Sequence, residues 1–241
     1  MTGLCPHAIL DPVLFARANR SLGLGLLLAA LLGCVRVEQT ITLNPDGSGV
    51  LAVQYGMALE TVADLEARLK ADSENGEAPP SLLSFDENQV REDFKELEPQ
   101  GILLQDIRTW ASDGFKYMRL SVRFSSLDAL SKTEFLSDRN FVLRRTPEND
   151  YELRQTSPPV DPAQAEAQAM MSGLLAGFRA ELAVELPGPI IEANADAREG
   201  RRAVWVFDLE KDPHALSRAQ QMDLRVVFSG AGLSLSEFPA R

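Results

Sequence analysis

The sequence predicts an α+β protein: an antiparallel β-sheet built of hairpins, with amphipathic helices packed on one face and a cleaved signal peptide in front. Three observations support this fold class. Apolar and polar residues alternate in several short runs joined by turn residues, which is typical of β-hairpins. Other segments repeat their apolar residues at helical spacing. The N-terminal region combines a basic flank with a short apolar run.

The N-terminal region, residues 1–33, is typical of a bacterial lipoprotein signal peptide. Arg17 and Arg20 precede the apolar run SLGLGLLLAALL, which is too short to span a bilayer. The run leads into Leu31-Leu32-Gly33-Cys34, which resembles the lipobox that the lipoprotein signal peptidase recognises. That resemblance implies diacylglycerol on Cys34, cleavage before Cys34 and fatty-acid chains such as palmitate. The alternative is a soluble protein with a buried N-terminal helix and a chance cysteine.

The predicted anchor also indicates where the protein resides. Two acyl chains on one residue give stable attachment to a membrane, whereas a single chain binds marginally. Residue 35 is valine rather than aspartate, so by analogy with bacterial lipoproteins retention at the inner membrane is not signalled. We therefore expect a lipid-anchored protein of the cell envelope, on the outer membrane if the host has two.

A first hairpin follows the cysteine directly. Residues 35–43 alternate apolar and polar side chains, and residues 51–57 do so again. Between them lies Asn44-Pro45-Asp46-Gly47-Ser48-Gly49, whose proline and glycines favour a tight turn. The same turn superficially resembles a calcium loop, but the bidentate acid that such a loop needs beyond its glycine is absent. The hairpin is the favoured interpretation.

The later elements follow from the same two periodicities. A helix is predicted from Leu59, a polar loop over 71–81 and a short helix around Val90 and Phe94. We expect one domain over 34–229 and a flexible tail over 230–241. The remaining predicted elements are hairpins of 102–110 with 115–124 and of 141–146 with 151–156, short helical turns near 127–136, a helix over 163–178, and strands over 180–186, 190–193, 203–209 and 224–228.

Composition narrows the range of functions. The net charge is -11, and an acidic chain is repelled by the phosphates of nucleic acid. Removal of residues 1–33 leaves Cys34 and His214 as the one cysteine and the one histidine, so we expect no disulfide, no metal and no cofactor. No catalytic sequence motif is present, and His214 falls in a predicted turn. The sequence therefore predicts a protein that is not an enzyme.

Two features leave alternatives open. The predicted helix over 163–178 carries a soft apolar face, which either lids a lipid cavity or packs as ordinary core. Arginines on predicted turns of the C-terminal half, such as Arg144, Arg154 and Arg202, either meet phosphorylated head groups or are simply solvated. The possible lid consists of Met170, Met171, Leu174, Leu175 and Phe178.

Three segments together resemble the LppM-like family of bacterial lipoproteins. They are the strand and turn from Cys34 to Gly49, the central Gly114-Phe115-Lys116-Tyr117, and Leu186-Pro187-Gly188 through to Trp205. The resemblance implies an antiparallel sheet with packed helices and binding of an envelope lipid, and it supplies no catalytic residues. We therefore expect a lipid or another apolar ligand. The alternative is an interaction module that binds protein partners through its sheet edges or its acidic face.

Overall fold

The structure is a computed structural model that describes residues 35–63, 85–131, 140–156, 177–220 and 223–238. Within these ranges the chain forms mostly strands, with few helices. The helices are α1 (Glu87–Leu97), α2 (Leu127–Ser131) and α3 (Ala215–Gln220), with a further helical turn at 59–63. The strands are β1 (Val35–Leu43), β2 (Gly49–Ala58), β3 (Ile102–Ser112), β4 (Phe115–Phe124), β5 (Asn140–Arg145), β6 (Tyr151–Thr156), β7 (Arg179–Glu185), β8 (Ile190–Ala193), β9 (Ala197–Glu199), β10 (Arg202–Asp208) and β11 (Asp223–Phe228).

The strands form two sheets rather than the single antiparallel sheet that we predicted. The large sheet has the order β3-β4-β2-β1-β7-β10-β9, and the small sheet has the order β5-β6-β11-β8. The large sheet is mixed, because β1 pairs in parallel with β7, with Arg36 opposite Arg179. The purely antiparallel prediction is therefore wrong at this pair. Parallel pairing joins strands that are distant in the sequence, so no local turn motif predicts it.

The three predicted hairpins are confirmed, and local turn chemistry explains them. In the β3–β4 turn, Asp113 and Gly114 have φ values of 53° and 79°, the left-handed pair that a two-residue hairpin turn needs. In the β1–β2 turn, the Asp46 carboxylate accepts hydrogen bonds from the Ser48 N–H at 3.0 Å and the Ser48 hydroxyl at 2.6 Å. Both bonds lower the pKa of Asp46, and the bond from the hydroxyl has the larger effect. The turn is thus stabilised by its own side chains, as the hairpin interpretation requires.

One hydrophobic core joins both sheets and the helices. Leu51, Met118, Leu120 and Phe124 of the large sheet expose almost no surface, and residues of β6 and β11 belong to the same cluster. The Tyr55 hydroxyl donates to Met118 Sδ at 3.1 Å within this region. Burial raises the pKa of Tyr55 well above its usual range, so the phenol stays protonated.

Helix α1 packs against the edge strand β3. Asp86 precedes it and accepts hydrogen bonds from the N–H groups of Asn88 and Gln89, at 2.9 and 3.2 Å, which caps its first turn. Val90 and Phe94, at helical spacing, are buried in the core. The short helix that the sequence predicts here is therefore confirmed.

The C-terminal segment is packed on the small sheet, where we predicted a flexible tail from residue 230. Leu235 is buried, its N–H donates to the Tyr151 hydroxyl at 2.9 Å, and that hydroxyl donates to the Leu235 carbonyl at 3.2 Å. Phe238 pairs with Leu143 of β5. The first part of the predicted tail, as far as Phe238, thus packs against the small sheet. The segment is rich in Gly and Ser, and its apolar residues are too few to form a pattern that would predict its packing.

Among the described residues, no helix has both the length and the apolar character needed to cross a membrane.

Candidate functional site

Most of the predicted site residues lie outside the described ranges, so their roles stay predictions. Phe178 is the exception: it is half-buried against the core, and its carbonyl accepts a hydrogen bond from the Leu209 N–H at 3.1 Å. The structure therefore places Phe178 in the packing between β7 and the chain that follows β10. The residues outside the description are the anchor residues Leu31, Leu32, Gly33 and Cys34 and the lid residues Met170, Met171, Leu174 and Leu175.

The candidate site lies at one end of the large sheet. We call it the proximal end because β1 begins there, at the residue that follows Cys34. In the strand register, Arg36 of β1 lies opposite Gly56, Gly56 opposite Tyr117, and Tyr117 opposite Trp110. The β3–β4 turn therefore lies at the same end, three strands or about 14 Å from β1.

Three aromatic side chains form a stacked cluster at the proximal end, which we call the aromatic cluster. The rings of Trp110 and Tyr117 are 5.2 Å apart and inclined by 15°, and those of Tyr117 and Phe115 are 5.8 Å apart and inclined by 25°. Two guanidinium groups extend the stack, Arg36 at 4.4 Å from the Phe115 ring and Arg108 at 5.2 Å from the Trp110 ring. The three rings stack on one another, and a guanidinium at each end completes the cluster.

Gly56 makes room for this arrangement. A Cβ atom at Gly56 would lie 2.4 Å from Cε1 and 2.5 Å from Cδ1 of Tyr117. The ring therefore lies across the bare backbone of β2, which no other residue type would permit without movement of the ring. Glycine inside a strand often marks such a close approach.

An apolar groove of about 490 Å³ lies beside the cluster. Trp110 forms one of its walls, and Leu59, 46% of whose surface is exposed, forms another. Its volume falls within the range of small-molecule sites. The described residues that line the groove are Leu59, Val62, Ala63, Thr109, Trp110, Ala111 and Lys116.

A second, more polar concavity of about 280 Å³ also includes Trp110. It lies on the open face of the large sheet, where Arg36, Glu38 and Gln54 point away from the core. Trp110, which lines both, thus stands between a polar surface and an apolar groove. An aromatic side chain with one wet and one dry side suits the boundary between water and an apolar phase.

The small sheet carries a separate network of charges. Glu152 is 4% exposed and accepts from Arg225 Nε and from Arg144 Nη2, both at 2.7 Å, while Arg225 also contacts Glu192 at 2.7 Å. Burial by itself would raise the pKa of Glu152, but the two arginines outweigh it and lower that pKa. Arg154 pairs with Asp223 at 2.8 and 2.9 Å. The charges balance, as in a structural network.

These pairs decide part of the question about the turn arginines. Arg144 and Arg154 are held by carboxylates of this network, and Arg202 lies 3.9 Å from Glu181. They are therefore not a free basic rim. His214 is exposed in a turn, as predicted, and its backbone N–H donates to Asp212 Oδ1 at 2.8 Å. Among the described residues, no three His, Cys, Asp or Glu side chains are arranged to hold a metal ion.

Two sheet edges are covered by contacts from the chain itself. At β3, the Thr109 N–H donates to Glu87 Oε1 at 2.6 Å, and the Ile107 carbonyl accepts from Arg91 Nη2 at 3.3 Å. At β5, the backbone of Leu143 is paired with Phe238. Open strand edges invite pairing with other chains. These contacts therefore weigh against partner docking along β3 and β5.

Trp110 and Gly56 are not among the site residues that the sequence predicts. One signal was available, since Gly56 is a glycine inside a predicted strand. Nothing local connects that glycine with Trp110, because β4 lies between the two in the sheet. The site arises from the four strands β1 to β4, which come together only in the folded protein.

Comparisons with known proteins give only distant likenesses, all of them among solved structures. No protein-family model matches the chain, and no curated protein sequence matches it. Among solved structures, it is similar to the NMR structure of the folded domain of LppM from Mycobacterium tuberculosis. The two are 15% identical, the match covers 82% of this chain and 91% of that one, and the TM-score is 0.42. This is too distant to assign the chain to a family.

Proposed function

We propose that this protein is a non-enzymatic lipoprotein of the cell envelope, anchored through lipid on Cys34, whose domain binds the acyl chain of an amphiphile. The observation that carries the proposal is the apolar groove of about 490 Å³ beside Trp110. Binding sites for small molecules are concave and mostly apolar, with a few polar groups that orient the ligand. This groove has that composition.

The groove chemistry favours the acyl chain of an amphiphile. Leu59, Val62 and Ala63 offer aliphatic surface to such a chain. The Lys116 ammonium at the margin of the groove lies 5.0 Å from the Phe85 ring centroid. The described lining contains no carboxylate, imidazole or thiol, so it offers no acid–base pair for a reaction.

The anchor is tested by replacing its cysteine. Cys34→Ser should abolish acylation, and the protein should no longer float with membranes after removal of peripheral proteins by salt. Intact-mass measurement of the wild type should show a chain that begins at Cys34 and carries diacylglycerol. A variant that still floats fully, or a wild type without lipid on Cys34, would contradict the anchor.

The groove is tested with a fluorescent fatty acid added to the mature Cys34→Ser chain, which lacks its own acyl chains. Ala111 is exposed in the groove, so Ala111→Glu should weaken probe binding about tenfold or more at little cost in stability. Leu103→Glu is the matched control, because Leu103 is 45% exposed at the opposite end of β3. Equal affinities of the two variants, or a parent chain that does not bind the probe, would refute the groove as the site.

The second candidate is an interaction module for an acidic partner. It rests on the open face of the large sheet, where Arg108 and Arg119 lie directly opposite each other and Arg123 follows on the same face. None of the three forms an ion pair within the described part of the chain, and like charges in direct opposition destabilise a strand pair. If this candidate is correct, Arg119→Glu with Arg123→Glu should remove a specific cross-linked partner in cells and leave probe binding unchanged.

A further inference from the structure

The position of Cys34 constrains how the domain meets a membrane. Cys34 is the residue before Val35, and β1 begins at Val35, whose side chain is buried in the core. Consecutive Cα atoms are about 3.8 Å apart, so no spacer separates a lipid on Cys34 from the sheet. The proximal end of the sheet would then lie within a few ångströms of the lipid head groups.

We propose that the proximal end is a docking surface for the phospholipid bilayer, with the aromatic cluster in the interfacial layer and the sheet standing upright on the membrane. This proposal rests on the anchor at Cys34 and adds an orientation and a second contact to it. The contact is the β3–β4 hairpin end, about 14 Å to the side of the anchor. Two contacts with the membrane, the anchor and the hairpin end, would fix the tilt of the sheet relative to the membrane. The anchor alone would leave that tilt free.

The side chains at this end suit the interfacial layer. Trp and Tyr are enriched at membrane interfaces, where their rings lie among the head groups and their polar atoms stay hydrated. Trp110 and Tyr117 are half-buried, and Leu59 exposes 46% of its surface at the same end. Arg36, stacked on Phe115, carries a guanidinium at the height of lipid phosphates.

Charge attraction contributes little to this docking. Arg36 and Lys116 are accompanied at the proximal end by acidic residues, Asp113 in the turn and Glu60 after β2, and the chain as a whole is acidic. The contact therefore depends on apolar and aromatic surface, and salt should affect it weakly. The anchor raises the local concentration of this surface at the membrane, so a contact too weak to bind alone becomes occupied.

The test places a tryptophan at each end of β3 and asks which one a brominated lipid quenches. In a Trp110→Phe background, Ser112→Trp reports the proximal end and Leu103→Trp the distal end, about 24 Å or more away. Ser112 is exposed and does not line the apolar groove, so it reports the bilayer rather than a bound chain. Trp205, 4% exposed in the core, is common to both chains.

The acylated chains are reconstituted in phosphatidylcholine vesicles with and without brominated acyl chains. We expect Ser112→Trp to lose about half of its added emission, Leu103→Trp to lose almost none, and the loss to persist when salt is raised from about 0.1 to about 1 M. Equal quenching of the two positions, or none at either, in protein that floats with the vesicles would overturn the docking.

The two proposals fail in different ways. Protein that does not float has no anchor, which refutes the proposed function before any quenching is measured. Quenching of Trp110 in the wild type without quenching of Ser112→Trp would mean a lipid in the groove and no docked bilayer. That result would support ligand binding and overturn the orientation.

Discussion

Gly56→Ala should rearrange the aromatic cluster while leaving the stability of the protein nearly unchanged. The new Cβ would lie 2.4 Å from Tyr117 Cε1, whereas carbon atoms in contact are about 3.5 Å or more apart. The ring must therefore retreat by about 1 Å or more, away from its stack 5.2 Å from Trp110. Loss of such a stack costs about 0.5 to 1.5 kcal/mol. Replacing a strand glycine by alanine returns about 0.4 to 1 kcal/mol through the unfolded chain.

The two effects nearly cancel, so the unfolding free energy should change by less than about 1 kcal/mol. The near-ultraviolet circular dichroism of Trp and Tyr should change clearly, and acrylamide should quench Trp110 more strongly. The Trp110→Phe protein supplies the Trp205 signal to subtract. The same glycine substitution in a Tyr117→Ala background has no ring to displace and should leave the spectra unchanged. An identical spectral change in both backgrounds would refute the steric explanation.

Two further predictions concern the small sheet. Glu152→Gln should lower the unfolding free energy by about 2 kcal/mol near pH 7, because Arg144 and Arg225 lose a buried carboxylate. The folded-state pKa of Glu152 lies below its ordinary 4.5, so its contribution is complete above that pH and is lost as the pH falls further. Urea midpoints of wild type and variant should therefore converge between about pH 5 and pH 3, and a constant gap would contradict this. Tyr151→Phe removes both hydrogen bonds to buried Leu235, so it should lower the unfolding free energy by about 2 kcal/mol and speed amide exchange at Leu235. Tyr117→Phe is the control and should lower the unfolding free energy hardly at all. Equal urea midpoints for the two variants would refute the prediction.

Local chemistry explains why the elements could be predicted so closely. The predicted boundaries of β4, β6 and β8 coincide with those in the structure, since alternation with a period of two is a property of neighbouring residues. The Asp113-Gly114 turn likewise depends on two residues that tolerate a positive φ. The order of the strands within the sheets could not be predicted from local chemistry in this way. The β1–β7 pair and the contact of Phe238 with β5 join distant segments, and the alternation in a strand does not name its neighbour.

The candidate site shows the same division. The sequence alone determined the hairpins, the short helix at Val90 and Phe94, and the poverty in cysteine and histidine, because each depends on residue type and short-range order. Lipid attachment at Cys34 stays a prediction from the same short-range order. Only the tertiary structure decided that Arg36, Gly56 and Trp110 share one end of a sheet, because that depends on strand order and register. Register is fixed when each strand turns its apolar face to a common core, and this core is formed by every strand at once.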